Sequence, residues 1–205
     1  SSSWMQATRT SFAAGALTTL LATPLGTLAA YGLFVSRLRS ARAIHTVMLT
    51  PIIVPVILVA IGVFYVYVQL KLVNSLAGIV LAHSMLAIPL VILVVSAALK
   101  SYDMNQEMVA RSLGASRARA FVTITLPQIR FALVSSALLS FLTSFDEVIL
   151  ALFIAGGSNS TLTRNMFNAL RDQIDPTIAA ISTLMILVTT VLLMLAQRYG
   201  RARGS

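Results

Sequence analysis

Six carboxylates, two imidazoles and no thiol are the reactive side chains of this 205-residue chain. Without cysteine, a disulfide framework, a thiolate metal site and a cysteine nucleophile are all excluded. Two of the carboxylates, Asp146 and Glu147, adjoin one another within an apolar run, Phe131–Ala155, nearer its outer end. A charge held at the middle of a bilayer costs about 2.5–3.5 kcal/mol, and less toward the interface, so something must compensate it. A cationic, amine-bearing solute in a path across the membrane would serve, and so would a polar helix or a second subunit. Tyr65, Tyr67 and Gln69 lie near the outer end of another apolar run. They suit a gate lining or an interfacial anchor, since aromatic residues collect at that depth. His83 sits in the middle of a third run, where a hydrogen bond to a neighbouring helix is expected in preference to a proton relay. The segment Thr163–Asp175 carries both charge signs and fits either a partner contact or a solvated connector.

No catalytic grouping accompanies these residues. The pair Gly156-Gly157 is not followed by a lysine and a hydroxyl residue, so no phosphate-cradling loop is present. His-x-x-Glu-His, Gly-x-Ser-x-Gly and carboxylates at catalytic spacing are missing as well. The chain therefore reads as something other than an enzyme, with no cofactor and no metal of its own.

The elements that must position these residues follow from composition. Hydrophobic residues make up 58% of the chain and charged residues 10%, with a mean hydropathy of +0.89. Soluble domains carry about 25% charged residues, so lipid is the solvent here. The net charge of +9 then reads as loop charge sorted across a membrane, not as a nucleic-acid footprint. Five apolar runs are long enough to cross about 30 Å of hydrocarbon: about 11–35, 44–70, 76–99, 131–155 and 177–196. Backbone groups in lipid must be satisfied within the segment, so the runs are helices and the fold is an all-α polytopic bundle. We expect one transmembrane domain over residues 1–205, with Pro24, Pro51, Pro55, Gly62 and Pro89 as candidate kinks or close-packing points.

Basic residues orient the bundle. Arg37, Arg39, Arg42, Lys100, Arg111, Arg117, Arg119, Arg130, Arg198, Arg201 and Arg203 share one side, eleven in all, against Arg9, Lys71, Arg164 and Arg171, four, on the other. The first set is expected in the cytoplasm, with the C-terminus. A start on the outside with an odd number of spans further predicts a preceding helix, six in total.

The longest segment on the expected cytoplasmic side, about Lys100 to Pro127, has its own grammar. Asp103 or Asn105 can cap a short helix whose apolar face includes Met108, Val109 and Leu113. Gly114 then permits a reversal that a side chain would resist. Ser116 can cap a second helix running to Pro127. The result is a compact helix–turn–helix suited to a groove on a cytosolic partner.

This segment resembles the coupling loop of permeases of type I bacterial ABC importers. That motif reads Glu-Ala-Ala, then Gly, then Ile-x-Leu-Pro at fixed spacing. Ala110, Gly114, Ile124, Leu126 and Pro127 fall on its positions, and Ala115-Ser116 follows the glycine. Met108 and Val109 stand where the glutamate and first alanine are expected, and Glu107 lies one place earlier. The resemblance extends over nearly the whole chain. Leu25-Gly26-Thr27 with Ala29-Ala30-Tyr31 is similar to the second helix of the six-helix permeases. The stretches Ser144 to Ile149, Ala151-Leu152-Phe153 and Pro176 to Thr183 resemble the polyamine (spermidine/putrescine) branch, which also contains opine transporters.

The resemblance implies a permease of the bacterial inner membrane that works beside a second permease, probably a different one in sequence. It implies a periplasmic binding protein that delivers solute, and an ATPase dimer that binds ATP and Mg and grips the coupling loops. Glu107, Met108, Ala110, Arg111, Leu113, Gly114, Ala115 and Pro127 would then be the coupling residues, and Asp146, Glu147, Tyr65 and Tyr67 would belong to the solute path. A permease of the same family for an opine or amino-acid-like solute is the nearest alternative. A secondary-transporter fragment is a further one, although it gives no reason for the helix–Gly–helix spacing.

Overall fold

A computed structural model describes residues 2–36, 38–172 and 177–201. Arg37, Asp175, Pro176 and Arg203, named above, lie outside the described residues, as do the side chains of Thr177, Ile178, Arg198 and Arg201. Every regular element among the described residues is helical.

The first expected span is the inner part of α1 (Ser2–Val35), which continues through Pro24. The third is α4 (Leu76–Lys100), capped at its start by Ser75, whose hydroxyl accepts from the Gly78 amide. Each of these helices is long and apolar enough to cross a membrane alone. They lie against each other, and α8 (Arg130–Asp146) packs on both. Gly26 makes the α1–α4 approach possible: a Cβ there would stand 2.6 Å from the Val91 Cβ. A polar seam joins the three helices. His83 Nδ1 lies 2.8 Å from Ser144 Oγ, and that hydroxyl donates to Thr18 Oγ1 at 3.3 Å. His83 is thus the inter-helix hydrogen bond anticipated for it.

Two expected spans are broken. The run 44–70 is not one rod but α2 (Ala41–Ile53) and α3 (Val56–Leu70), bent by 96°. The cause is Pro55, which has no N–H to donate and pushes the residue before it out of the helical region. Val54 accordingly sits at φ −70°, ψ 130°. None of α2's residues is buried. The run 131–155 likewise ends its helix at Asp146 and resumes as α9 (Ile149–Ile154) after Glu147 turns to ψ 116°. Here the α9 amide of Leu150 donates to Glu147 Oε1 at 2.8 Å, an acidic side chain satisfying an orphan helix-start donor.

Between α4 and α8 lie α5 (Met104–Ser112), α6 (Arg117–Ala120), a π-helical turn Phe121–Thr125 and α7 (Leu126–Gln128). The segment Arg117–Gln128, from α6 through α7, meets α8 at 79°. After α9 come α10 (Leu162–Asp172) and α11 (Thr177–Arg201), whose apolar stretch is Ala179–Met194. Large apolar side chains such as Leu20, Ile53 and Leu193 face outward, as expected when lipid covers them. The buried apolar cluster of Tyr31, Val91, Val95, Leu99, Tyr102, Phe121 and Ile129 fuses the α5–α7 segment to the ends of α1 and α4.

Candidate functional site

Two places gather the residues singled out by sequence. The first is the helix–turn–helix of α5 and α6. Asp103 begins α5 by accepting from the Asn105 amide at 3.0 Å, and Ser116 begins α6 by accepting from the Arg119 amide at 3.2 Å. Asp103, rather than Asn105, is therefore the cap. Between them Gly114 has φ +94°, in the region that favours glycine. The Ala115 amide donates back to Ala110 O at 3.1 Å and the Gly114 amide to Arg111 O at 3.0 Å. That pair of bonds is a Schellman ending, and it satisfies the last carbonyls of α5.

The turn leaves apolar side chains uncovered. Leu113 at the tip is 84% exposed, and Met108 and Val109 stand out beside it. Arg111 and Pro127 are exposed, while Ala110 and Ala115 are half-buried. An apolar tip with a basic flank is a docking surface in composition.

Glu107 departs from its neighbours. It has 0% exposure, so its side chain faces the interior and not the docking surface. Tyr31 Oη donates to its Oε1 at 2.6 Å and Thr125 Oγ1 donates to its Oε2 at 2.7 Å. Tyr102 Oη lies 3.1 Å from Thr125 Oγ1. Thr125 has one proton, so when it serves the carboxylate the Tyr102 hydroxyl is the donor to it. The carboxylate thus ties α5 to α1 and to the π-helical turn. Gln128 donates to Gln106, adding a tie between α7 and α5. Nothing in the local spacing points to Tyr31, Tyr102 or Thr125 as partners of Glu107.

The second place is a cleft of about 600 Å³ between α8 and α11. Asp146 and Glu147 line it with Thr143, Thr189, Thr190 and the apolar Met185 and Ile186. Asp146 is exposed. Glu147 is half-buried and has one carboxylate oxygen committed to the Leu150 amide, so Asp146 is the better placed to meet a ligand. Such a wall offers a free carboxylate, a second one committed to the Leu150 amide, several hydroxyls and an apolar stretch, which matches an ammonium group carried on an aliphatic chain. The threonines carried no signal in the sequence, because only the packing of α11 on α8 brings them to the acid.

Tyr65 and Tyr67 are not brought to this cleft. Tyr65 is 71% exposed on α3, and Tyr67 packs against the cluster of Ala60, Ala82, Leu150 and Ile154.

Similarity to known proteins can be set beside this geometry. The profile of the family described as "binding-protein-dependent transport system inner membrane component" matches residues 22–203. The spermidine/putrescine transport system permease protein PotC of Haemophilus influenzae is 29% identical over 181 residues, covering 88% of this chain and 70% of that protein. The putrescine transport system permease protein PotI of Escherichia coli K12 is 30% identical over 169 residues, covering 79% of this chain and 60% of that one. A chain of the MetNI methionine ABC transporter in inward-facing conformations superposes with a TM-score of 0.73 at 16% identity, covering 97% of this chain and 93% of the other. A chain of a bacterial ABC transporter involved in the import of the acidic polysaccharide alginate gives 0.62 at 14% identity, covering 95% and 76%. At such identities the structural likeness is one of fold.

Proposed function

This chain belongs to the family of binding-protein-dependent transport system inner membrane components, and from that premise we propose that it forms one half of an import path for a small amine-bearing solute of the polyamine type. It is a multi-pass membrane permease and not itself an enzyme. In this reading residues 1–205 act as one transmembrane unit, with the α5–α6 loop and the C-terminus in the cytoplasm, as the distribution of Lys and Arg supports. A second permease completes the path, a periplasmic binding protein supplies solute, and a dimer of ATPases that holds ATP and Mg docks on the loops below.

Met108, Val109 and Leu113 are the groups that would enter the ATPase groove, with Arg111 and Pro127 at its margin and Gly114 fixing the turn. Because Met108 occupies the motif glutamate's place, this contact is apolar where the motif would make it ionic. Glu107 transmits load inward, through Tyr31 to α1. ATP-driven closure of the two ATPases would then rock the permeases between outward-open and inward-open states.

The observation that carries the choice of solute is the cleft wall: Asp146 among threonine hydroxyls, beside Met185 and Ile186. The names of the relatives, spermidine/putrescine and putrescine permeases, point to the same chemistry. Asp146→Asn is expected to raise the KM for a diamine roughly tenfold or more, the worth of a charge-assisted hydrogen bond of about 1.5–3 kcal/mol. Glu147→Gln should have a smaller effect, since one of its oxygens already caps α9. Diamine uptake with unchanged KM in both variants would remove the cleft from the solute path.

A further inference from the structure

At the other end of the bundle, near the start of the α5–α7 segment, three basic side chains converge on a second cleft. Arg42 and His45 of α2 and Lys100 at the end of α4 line about 400 Å³, with Ser96 beside them and Leu33 and Phe34 of α1 forming an apolar wall. Arg42 also borders an adjoining cleft of about 880 Å³ with Arg39 and Thr46. Among the described residues, no carboxylate lines either cleft. The acid nearest in sequence to Lys100 is Asp103, whose carboxylate already accepts from the Asn105 amide.

The surroundings of these cations are unusual for a loop facing only water. α2 buries none of its residues in the fold. It presents Ile44 and Val47, with Leu38 just before it, as exposed apolar side chains at the level of the arginines. Cations and apolar groups mixed at one depth match the boundary between headgroups and acyl chains, where a basic side chain reaches a phosphate while its neighbours sit in hydrocarbon.

We propose that the cleft between α1, α2 and α4 binds the headgroup of an anionic phospholipid, with Arg42 and Lys100 on the phosphate and Leu33 and Phe34 along the first acyl carbons. Such a lipid would brace the start of α2 against the end of α4. This inference rests on the membrane placement and the cytoplasmic side assigned to the basic loops, and is independent of the solute.

The test uses the assembled, detergent-purified complex and native mass spectrometry after addition of phosphatidylglycerol or phosphatidylcholine. Wild type should retain phosphatidylglycerol preferentially. Arg42→Gln and Lys100→Gln should each reduce that retention roughly fivefold, the equivalent of about 1 kcal/mol per basic residue at a membrane surface. Arg9→Gln, at the opposite end of α1, should leave it unchanged. Both substituted side chains are exposed, so normal elution of the variants is expected and separates binding from folding. Equal phosphatidylglycerol retention in wild type and the double variant would overturn the proposal. Displacement of the lipid by millimolar inorganic phosphate would overturn the lipid as the ligand. Loss of the ATPase subunits from the double variant with lipid retention intact would instead make the cleft a protein contact, and would also overturn it.

Discussion

Gly114→Asp is expected to abolish ATP-dependent uptake and to release the ATPase subunits, while the amount of chain in the membrane stays at the wild-type level. Two effects combine at this position. The backbone holds φ +94°, a conformation that costs an L-residue about 1–2 kcal/mol. The new carboxylate would also project from the tip beside Leu113, the most exposed apolar side chain of the segment at 84%. An anchor lost from the centre of an interface costs 2 kcal/mol or more, roughly thirtyfold in affinity. No atom lies within 4 Å of a Cβ built on Gly114, so the fold itself has room for the substitution. Gly114→Ala should therefore show the backbone part alone, with weaker but measurable uptake. Co-purification of the ATPases measures the docking, and membrane content measures insertion. Wild-type uptake by the aspartate variant would exclude this turn as the coupling element.

Removal of the Glu107 carboxylate should be the second large effect, and of a different kind. Glu107→Ala leaves the Tyr31 and Thr125 hydroxyls without their acceptor in a site that has no exposed surface. Thr125 can turn its proton to Tyr102 Oη at 3.1 Å, so the cost falls on Tyr31, and an orphaned buried hydroxyl costs about 1–3 kcal/mol. The docking face of Met108, Val109 and Leu113 remains, so the ATPases should still co-purify. What is expected to fail is transmission: basal ATP hydrolysis persists, while its stimulation by solute-loaded binding protein is lost. Tyr31→Phe removes one end of the same tie. Groups sharing one hydrogen-bond network couple non-additively by about 0.5–3 kcal/mol, so the double variant should be little worse than Glu107→Ala alone. Additive losses of thermal stability and stimulation would mean that the two residues act separately. Loss of ATPase binding with stability unchanged would assign Glu107 to docking and not to transmission.

The contrast between Gly114 and Glu107 shows which parts of the site were legible in the sequence. Caps and reversals depend on residues within a few positions of one another. The cap at Asp103, the positive φ at Gly114 and the cap at Ser116 accordingly stand where their side-chain chemistry predicts. Glu107 is held by a tyrosine 76 residues away, and nothing in local spacing foretells that pairing. The membrane runs show the same division. Hydropathy located the apolar helices: α4 keeps its expected bounds to within a residue, while α1 ends where expected but begins at Ser2 and not near residue 11. Hydropathy is indifferent to backbone breaks, so the 96° bend at Val54–Pro55 is signalled by the proline alone, and a proline in an apolar run marks a kink without giving its angle. Asp146 and Glu147 were visible as costly carboxylates. Their different fates, one exposed in a cleft and one capping α9, depend on a helix end inside what hydropathy reads as a continuous run. Tyr65 and Tyr67 share an outer level with the acids in sequence, but α3 carries them to another face.

Uptake of labelled putrescine or spermidine by proteoliposomes holding the complete complex tests the central claim most directly, with opines and amino acids as competitors. The predicted result is saturable uptake that requires both ATP and the binding protein and that polyamines alone block. Uptake that ignores ATP and follows an ion gradient would contradict it.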